Sequence, residues 1–124
     1  MKYTKYVEKA CCGYKPLWAD KKWFKHDKRY PKWKKFYKKY GFYPFETWNL
    51  DETIITFILP RLVFYRDHHA GVPYGISDED YTKEIDSYIK AFQDYLSTNT
   101  YGKLSDETRE TMRKFMDALP GMWD

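Results

Sequence analysis

The chain has 124 residues and a mass of 15.2 kDa, which is the size of one domain with one modest core. Twenty-six residues are Trp, Tyr or Phe, so aromatic side chains must supply apolar area that the scarce aliphatic residues do not. This composition argues against a disordered chain, and no run approaches the roughly 20 apolar residues of a membrane span. The first ten residues lack the apolar region of a signal peptide, so we expect the protein to stay in the compartment where it is made.

The net charge of +4 is divided unevenly along the chain. Residues 1–44 contain 14 Lys and Arg against three acids, whereas residues 45–124 contain 8 against 15. The first segment therefore carries +11 and the second carries −7. Such a basic segment either meets a polyanion or docks on the acidic half of its own chain.

Helix signals dominate from residue 49 onward. Asn49 predicts an N-cap, and Glu52 is placed as its capping-box partner. The predicted helix runs from Leu50 to about His69, with a kink at Pro60 and a C-terminal stop at Gly71.

Two further helices are predicted, with Ser77 and Ser105 as their N-caps. The apolar stripe of the second is Tyr81, Ile85, Tyr88, Ile89, Phe92 and Leu96. The apolar face of the third is Met112, Phe115, Met116 and Leu119, and Pro120-Gly121 ends it.

The basic segment is less regular. Pro31 and Gly41 fit the start and the end of a helix, whereas residues 11–27 show no clean period. We expect Trp18, Trp23 and Phe24 to pack there as apolar plugs. The predicted fold is mainly α, a compact single-domain helical bundle of three to four main helices with an irregular, aromatic-rich N-terminal segment.

The central run from Pro44 to Phe92 carries an unusual pattern. Trp48, Leu50 and Asp51 form a Trp-x-Leu-Asp element, and residues 58–62 read Ile-Leu-Pro-Arg-Leu ahead of the acidic-capped helix. This pattern resembles a family of small proteins of unknown function that tailed bacteriophages and prophages encode. The resemblance implies a phage gene product in the bacterial host cytoplasm and brings no catalytic residues. By analogy, such accessory proteins redirect or block host systems.

Three charged residues fall inside the apolar arc of the first long helix, which we expect to be central and nearly buried. They are Asp51, Arg61 and Arg66, and each needs a partner because a lone buried charge is costly. In a structural interpretation, Asp51 satisfies the helix N-terminus and Arg61 pairs with an acid such as Glu84. In a functional interpretation, Arg61 and Arg66 together bind a phosphate or carboxylate, with Trp48 or Tyr65 as a stacking wall.

The lysine-rich segment 21–40 also allows two interpretations. Its lysines could neutralise phosphates while its aromatic rings stack on bases. Alternatively, the rings at helical spacing belong to the core, and the lysines form a solvated face. The candidate residues for an anionic ligand are Arg61, Arg66, Trp48, Trp33, Lys34, Lys35 and Lys38.

Enzyme and metal motifs are missing from the sequence. His68 and His69 are adjacent and therefore point about 100° apart on a helix, which disfavours a shared ion. The adjacent Cys11 and Cys12 preclude a disulfide framework, and we expect them to be buried as small apolar residues.

We therefore expect a non-enzymatic phage accessory protein that acts by binding and needs no cofactor. Its most specific form is a host-defence antagonist that sequesters an anionic, cyclic nucleotide signal. The alternatives are a protein–protein inhibitor of a host protein and a nucleic-acid-binding protein. The aromatic excess leaves rings exposed, which favours a homo-oligomer, and no membrane partner is expected.

Overall fold

The computed structural model describes residues 2–98 and 103–122, and six α-helices but no strand occur in those ranges. The helices are α1 (Lys5–Ala10), α2 (Lys21–Lys25), α3 (Tyr30–Tyr40), α4 (Leu50–His68), α5 (Asp78–Thr98) and α6 (Asp106–Ala118). Four of them have 11 residues or more, so the predicted mainly α bundle with three to four main helices is confirmed.

The helical core lies between α4, α5 and α6, with α1 packed on α4. All six apolar residues predicted for α5 are buried. The predicted caps are confirmed, because the hydroxyls of Ser77 and Ser105 accept from the backbone N–H groups of Asp80 and Thr108, both at 3.1 Å. The prediction for α6 is correct in part: Phe115 is buried, but Met116 is 61% exposed.

A second, aromatic cluster forms the interior of the N-terminal segment. Its buried members are Trp18, Phe24, Trp33 and Phe45. Phe45 is 1% exposed and lies at the centre, with the rings of Trp33 at 4.9 Å and Phe24 at 5.1 Å. Aromatic packing therefore gives this segment a core of its own, as its composition predicts.

Hydrogen bonds and ring packing join the basic segment to α4. The indole N–H of Trp18 donates to the Thr56 hydroxyl at 3.2 Å, and the Thr53 hydroxyl donates to the Glu46 carbonyl at 2.7 Å. The Tyr14 hydroxyl donates to the Glu52 carboxylate. Across residues 2–98 and 103–122, no ion pair links residues 2–44 to the acidic half, so this contact does not depend on direct ion pairs.

The ends of α4 differ from their prediction. Asn49 occupies the N-cap position in a left-handed conformation (φ 35°, ψ 56°), and its side chain makes no capping hydrogen bond. The capping box is wrong because Glu52 accepts from Tyr14 instead. The helix ends where His69 becomes extended (φ −62°, ψ 139°), and Gly71 has no positive φ, so Gly71 is not the stop.

The prediction that α4 is nearly buried is wrong. Leu59, Ile55 and Leu62 face the core, but the opposite side of the helix is exposed. That side presents four apolar residues at 46–55% exposure, namely Leu50, Ile54, Phe57 and Phe64. An all-round apolar helix predicts burial only when neighbouring elements cover every face, and here one face remains uncovered.

Candidate functional site

An open cleft of about 630 Å³ lies where the basic segment meets α4. We call it the aromatic cleft. Its lining comes from the turn before α2, from α2 and α3, from residues 41–46 and from α4. These residues are Trp18, Lys21, Phe24, Lys25, Tyr30, Tyr37, Gly41, Tyr43, Glu46, Thr53, Ile54 and Phe57. The volume falls within the range typical of small-molecule sites, roughly 300–1,000 Å³.

The wall of the aromatic cleft is held by the cluster beneath it. Gly41 takes a left-handed conformation (φ 85°) that ends α3, and it is followed closely by the turn containing Tyr43 and Phe45. The Tyr43 ring stacks on Phe45 with centroids 5.1 Å apart and planes at 10°. The Tyr37 ring lies 4.6 Å from Tyr43. Tyr37 is 41% exposed, which makes one of its faces available to a ligand.

Positive charge dominates the surroundings of the aromatic cleft. Lys21 and Lys25 line it, and the ammonium of Lys34 lies 5.5 Å from the centroid of the Tyr30 ring. The carboxylate of Glu46 accepts a hydrogen bond of 2.5 Å from the Tyr43 backbone N–H. Residues 21–39 contain nine lysines, and none of them lies within 4 Å of a carboxylate of the described residues. The segment therefore keeps positive potential that its own acids do not neutralise.

The phenol of Tyr43 is neutral at physiological pH. Burial, followed by interactions with the Tyr30 hydroxyl, raises the pKa of Tyr43 above its usual value. A neutral phenol can both donate and accept a hydrogen bond, so it adds a polar contact to the wall without adding negative charge.

Arg61 lies on the exposed side of α4, outside the aromatic cleft. Its guanidinium lies 3.7 Å from the centroid of the Phe57 ring and donates to the Phe57 carbonyl at 2.8 Å. The predicted pairing with Glu84 is wrong: no ion pair joins these two described residues, and the Glu84 carboxylate accepts from the Tyr88 hydroxyl at 2.5 Å. Arg61 instead lines a second cleft of about 450 Å³, together with Lys2, Tyr6, Val7, Trp18, Thr56, Pro60 and Phe64.

Arg66 points away from Arg61, since five residues correspond to about 140° around a helix. Its guanidinium forms ion pairs with Asp67 at 2.9 Å and with Asp86 of α5 at 2.7 Å. The hydrogen bond to Asp67 is the main cause of its raised pKa. The structure thus does not bring Arg61 and Arg66 together as a pair. The ion pair of Arg66 with Asp86 links α4 to α5.

The two rings predicted to stack on a ligand, Trp33 and Trp48, both lie beside the guanidinium of Arg29. The Arg29 guanidinium is 4.7 Å from the Trp33 ring centroid and 5.3 Å from that of Trp48. It also binds Asp27, and these hydrogen bonds lower the pKa of Asp27 to about 2. Because Trp33 is only 5% exposed, it belongs to the aromatic cluster and is not an open stacking plane. Trp48 is 42% exposed but lies outside the lining of the aromatic cleft.

The three predicted lysines of α3 are all exposed. Lys34 approaches the aromatic cleft through Tyr30, whereas Lys35 and Lys38 do not line it. The aromatic cleft therefore differs from the predicted site. The lysines of α3 are exposed as predicted, but the rings that line the cleft include Tyr30, Tyr37 and Tyr43 and not Trp33 or Trp48. Sequence reasoning missed Tyr30, Tyr43 and their neighbours because no local pattern marks residues that meet only after folding.

Two other predicted features concern the cysteines and a metal site. Cys11 is buried and Cys12 is exposed, and neither forms a disulfide, so the expected burial holds for Cys11 alone. Burial raises the pKa of Cys11 to about 11. Within residues 2–98 and 103–122, no group of three or more His, Cys, Asp or Glu side chains is placed to hold a metal ion. None of the described helices is both long and apolar enough to span a bilayer.

The Trp-x-Leu-Asp and Ile-Leu-Pro-Arg-Leu elements of the sequence lie where the clefts meet α4. Trp48 contacts the aromatic cluster, and residues 58–62 form the middle of α4 beside the second cleft. Comparison with protein-family models, with curated proteins and with solved structures gave no match for this chain.

Proposed function

We propose that the protein acts by binding, and that its aromatic cleft receives an anionic, planar ligand of the nucleotide class. One observation carries the proposal: three tyrosine rings and two lysines without an acid partner line the same cleft of about 630 Å³. Tyr30, Tyr37 and Tyr43 offer surfaces on which a base can stack, and Lys21 and Lys25 offer charge for phosphates. In the phage setting that the sequence pattern suggests, sequestering a cyclic nucleotide of host defence in the host cytoplasm is the expected role.

The binding test uses defined nucleotides as probes. A cyclic dinucleotide, a cyclic trinucleotide and ADP-ribose are titrated separately into the protein and followed by calorimetry and thermal melting. At a ligand concentration of 100 times Kd, binding stabilises the fold by about 2.7 kcal/mol, a shift of several degrees. Mass spectrometry of the recovered nucleotide checks that it is unchanged, and turnover would contradict a non-enzymatic role.

The residues of the cleft are tested by substitution. The double variant Lys21→Gln, Lys25→Gln and the single variant Tyr37→Ala should each weaken the bound probe at least about tenfold, or about 1.4 kcal/mol. Lys114→Gln on exposed α6 is the matched control and should bind like the wild type. If none of the three probes binds the wild-type protein, or if the double variant binds equally well, the proposal fails.

A second candidate is single-stranded nucleic acid, which the exposed lysines of α3 favour. Their side chains have no carboxylate partner among the described residues. A single-stranded oligonucleotide should then bind with a steep salt dependence. The triple variant Lys34→Gln, Lys35→Gln, Lys38→Gln should reduce the slope of log K against log salt by about 2. An unchanged slope would exclude these lysines as phosphate contacts.

A further inference from the structure

The exposed side of α4 forms a continuous apolar ridge. Leu50, Ile54, Phe57, Arg61 and Phe64 follow one another at steps of four, three, four and three residues, which places them on one face of the helix. We call these five residues the α4 ridge. Fourteen residues separate its ends, a length of about 21 Å at the standard rise. The ridge is therefore as long as three to four turns of a partner helix.

The ridge is not needed to close the core of the fold. Leu59 and Leu62, on the opposite face of α4, are 0% and 5% exposed and already fill the space between α4 and α5. By contrast, Phe64 is 55% exposed and Ile54 is 49% exposed. Exposing contiguous apolar area to water is unfavourable, and a patch of this kind is typical of an interaction site.

Arg61 does not break the ridge. Its guanidinium lies over the Phe57 ring and is held there by the Phe57 carbonyl. The Phe64 ring in turn stacks on His68, with centroids 4.0 Å apart. Both rings therefore keep contacts within α4, and the ridge stays apolar on either side of Arg61.

The borders of the ridge are positive. Lys21 and Lys25 lie in the aromatic cleft on one side, and Lys2 lines the second cleft with Arg61. Glu46 is the acid in the linings of these two clefts, against the four cations Lys2, Lys21, Lys25 and Arg61. A partner that covers the ridge must therefore place carboxylates, not ammonium groups, along its edges.

We propose that the α4 ridge and the adjoining second cleft bind an amphipathic helix of another protein, whose apolar face is bordered by Asp and Glu. The apolar anchors of that helix lie along the ridge at helical spacing, and one of them enters the second cleft of about 450 Å³. Its carboxylates meet Lys2, Arg61 and the lysines of α2. This site goes beyond the nucleotide proposal and does not rest on it. Ile54, Phe57 and the lysines of α2 also line the aromatic cleft, but Arg61 and Phe64 line only the second cleft.

The test uses two synthetic helical peptides of about 18 residues that share one Leu/Phe face. In one peptide Glu flanks that face, and in the other Lys replaces Glu. Fluorescence anisotropy should give a micromolar Kd for the Glu peptide that weakens with salt, and an affinity at least about tenfold lower for the Lys peptide. No binding of the Glu peptide, or equal binding of the two, would overturn the proposal.

Substitutions localise the peptide on the ridge. Phe64→Glu should lower the affinity for the Glu peptide at least about tenfold. If Phe64→Glu unfolds at a lower temperature than the wild type, Phe64→Ala is used in its place. Met116→Glu changes an equally exposed apolar residue on α6 and should leave binding unchanged. Peptide binding that persists in both Phe64 variants contradicts the assignment.

Two measurements distinguish a partner helix on the α4 ridge from a second copy of this chain and from the nucleotide site. Light scattering that gives twice the chain mass, with a return to one chain in Phe64→Glu, would show that a second copy covers the ridge and would overturn the proposal. Phe64→Glu should retain nucleotide binding in the aromatic cleft, whereas Tyr37→Ala should retain peptide binding. Failure of either site is thus distinguishable from failure of the other.

Discussion

Replacing Phe45 by Ala removes the centre of the aromatic cluster. The ring is 1% exposed, and the centroids of five other rings lie 4.9–6.3 Å from it. Loss of a buried Phe side chain costs about 3–5 kcal/mol, because apolar contacts are lost and a cavity remains. Five large rings fixed by one another cannot all move inward, so we expect a value near the upper end. Since a domain of this kind is stable by about 5–15 kcal/mol, the variant should be close to unfolding at 37 °C.

Urea denaturation of Phe45→Ala should be followed with two probes. Tryptophan fluorescence reports mainly on the aromatic cluster, which contains Trp18 and Trp33 and contacts Trp23 and Trp48. Far-UV circular dichroism reports mainly on α4, α5 and α6. If the chain is one cooperative domain, both midpoints fall together.

The control for Phe45→Ala is Phe42→Ala. Phe42 is 40% exposed, and its one ring neighbour among the described residues is Phe36 at 5.5 Å, so the expected loss is below about 1 kcal/mol. A loss for Phe45→Ala that is no larger than this would refute the argument that the cluster is a core. A shift in fluorescence without a shift in circular dichroism would refute the single cooperative domain.

Three further predictions test other parts of the fold. Leu59→Ala, at a residue that is 0% exposed, should cost about 2–5 kcal/mol in urea, whereas Leu50→Ala should cost below about 1; equal losses would contradict the orientation of α4. Ser105→Ala should cost about 1 kcal/mol by the same assay, and no loss would mean that its cap is unimportant. Burial and the hydrogen bond to Asp51 raise the pKa of Tyr95 to about 12, against about 10 in an unfolded chain. As the pH rises, the unfolded state therefore loses this proton first, and the melting temperature should fall between pH 10 and 12. The melting temperature of Tyr95→Phe should fall less steeply over this range. Equal slopes for the variant and the wild type would contradict the assignment.

Local signals predicted the helices that local interactions determine. Ser77 and Ser105 each cap a helix within their own four residues, and the 3.6-residue stripe of α5 is visible in its own sequence, although both α4 and α6 bury it. The short helices α1 and α2 were not predicted. With six and five residues they are too short to be stable alone, and tertiary packing around Phe24 and Ala10 holds them in place.

The candidate site was predictable only in its charge. The lysines of residues 21–39 are exposed, as a solvated face requires, but the rings that form the cleft come from five separate stretches of chain. The position of Arg61 also depended on which face of α4 the rest of the chain covers. A helical wheel gives the angle of a residue around the helix axis but not the identity of its neighbours. For this reason the apolar arc of α4 predicts burial on a face that the structure leaves exposed.

Among the described residues, no ion pair joins the basic segment to the acidic half, and this has a consequence for association. α2 and α3 pack on the turns beside α4, and their lysines are exposed. These lysines form a basic surface whose field attracts an anionic target before contact. Encounter complexes would form with the lysine-rich surface leading, and their rate of formation, more than their lifetime, would decline as ionic strength increases.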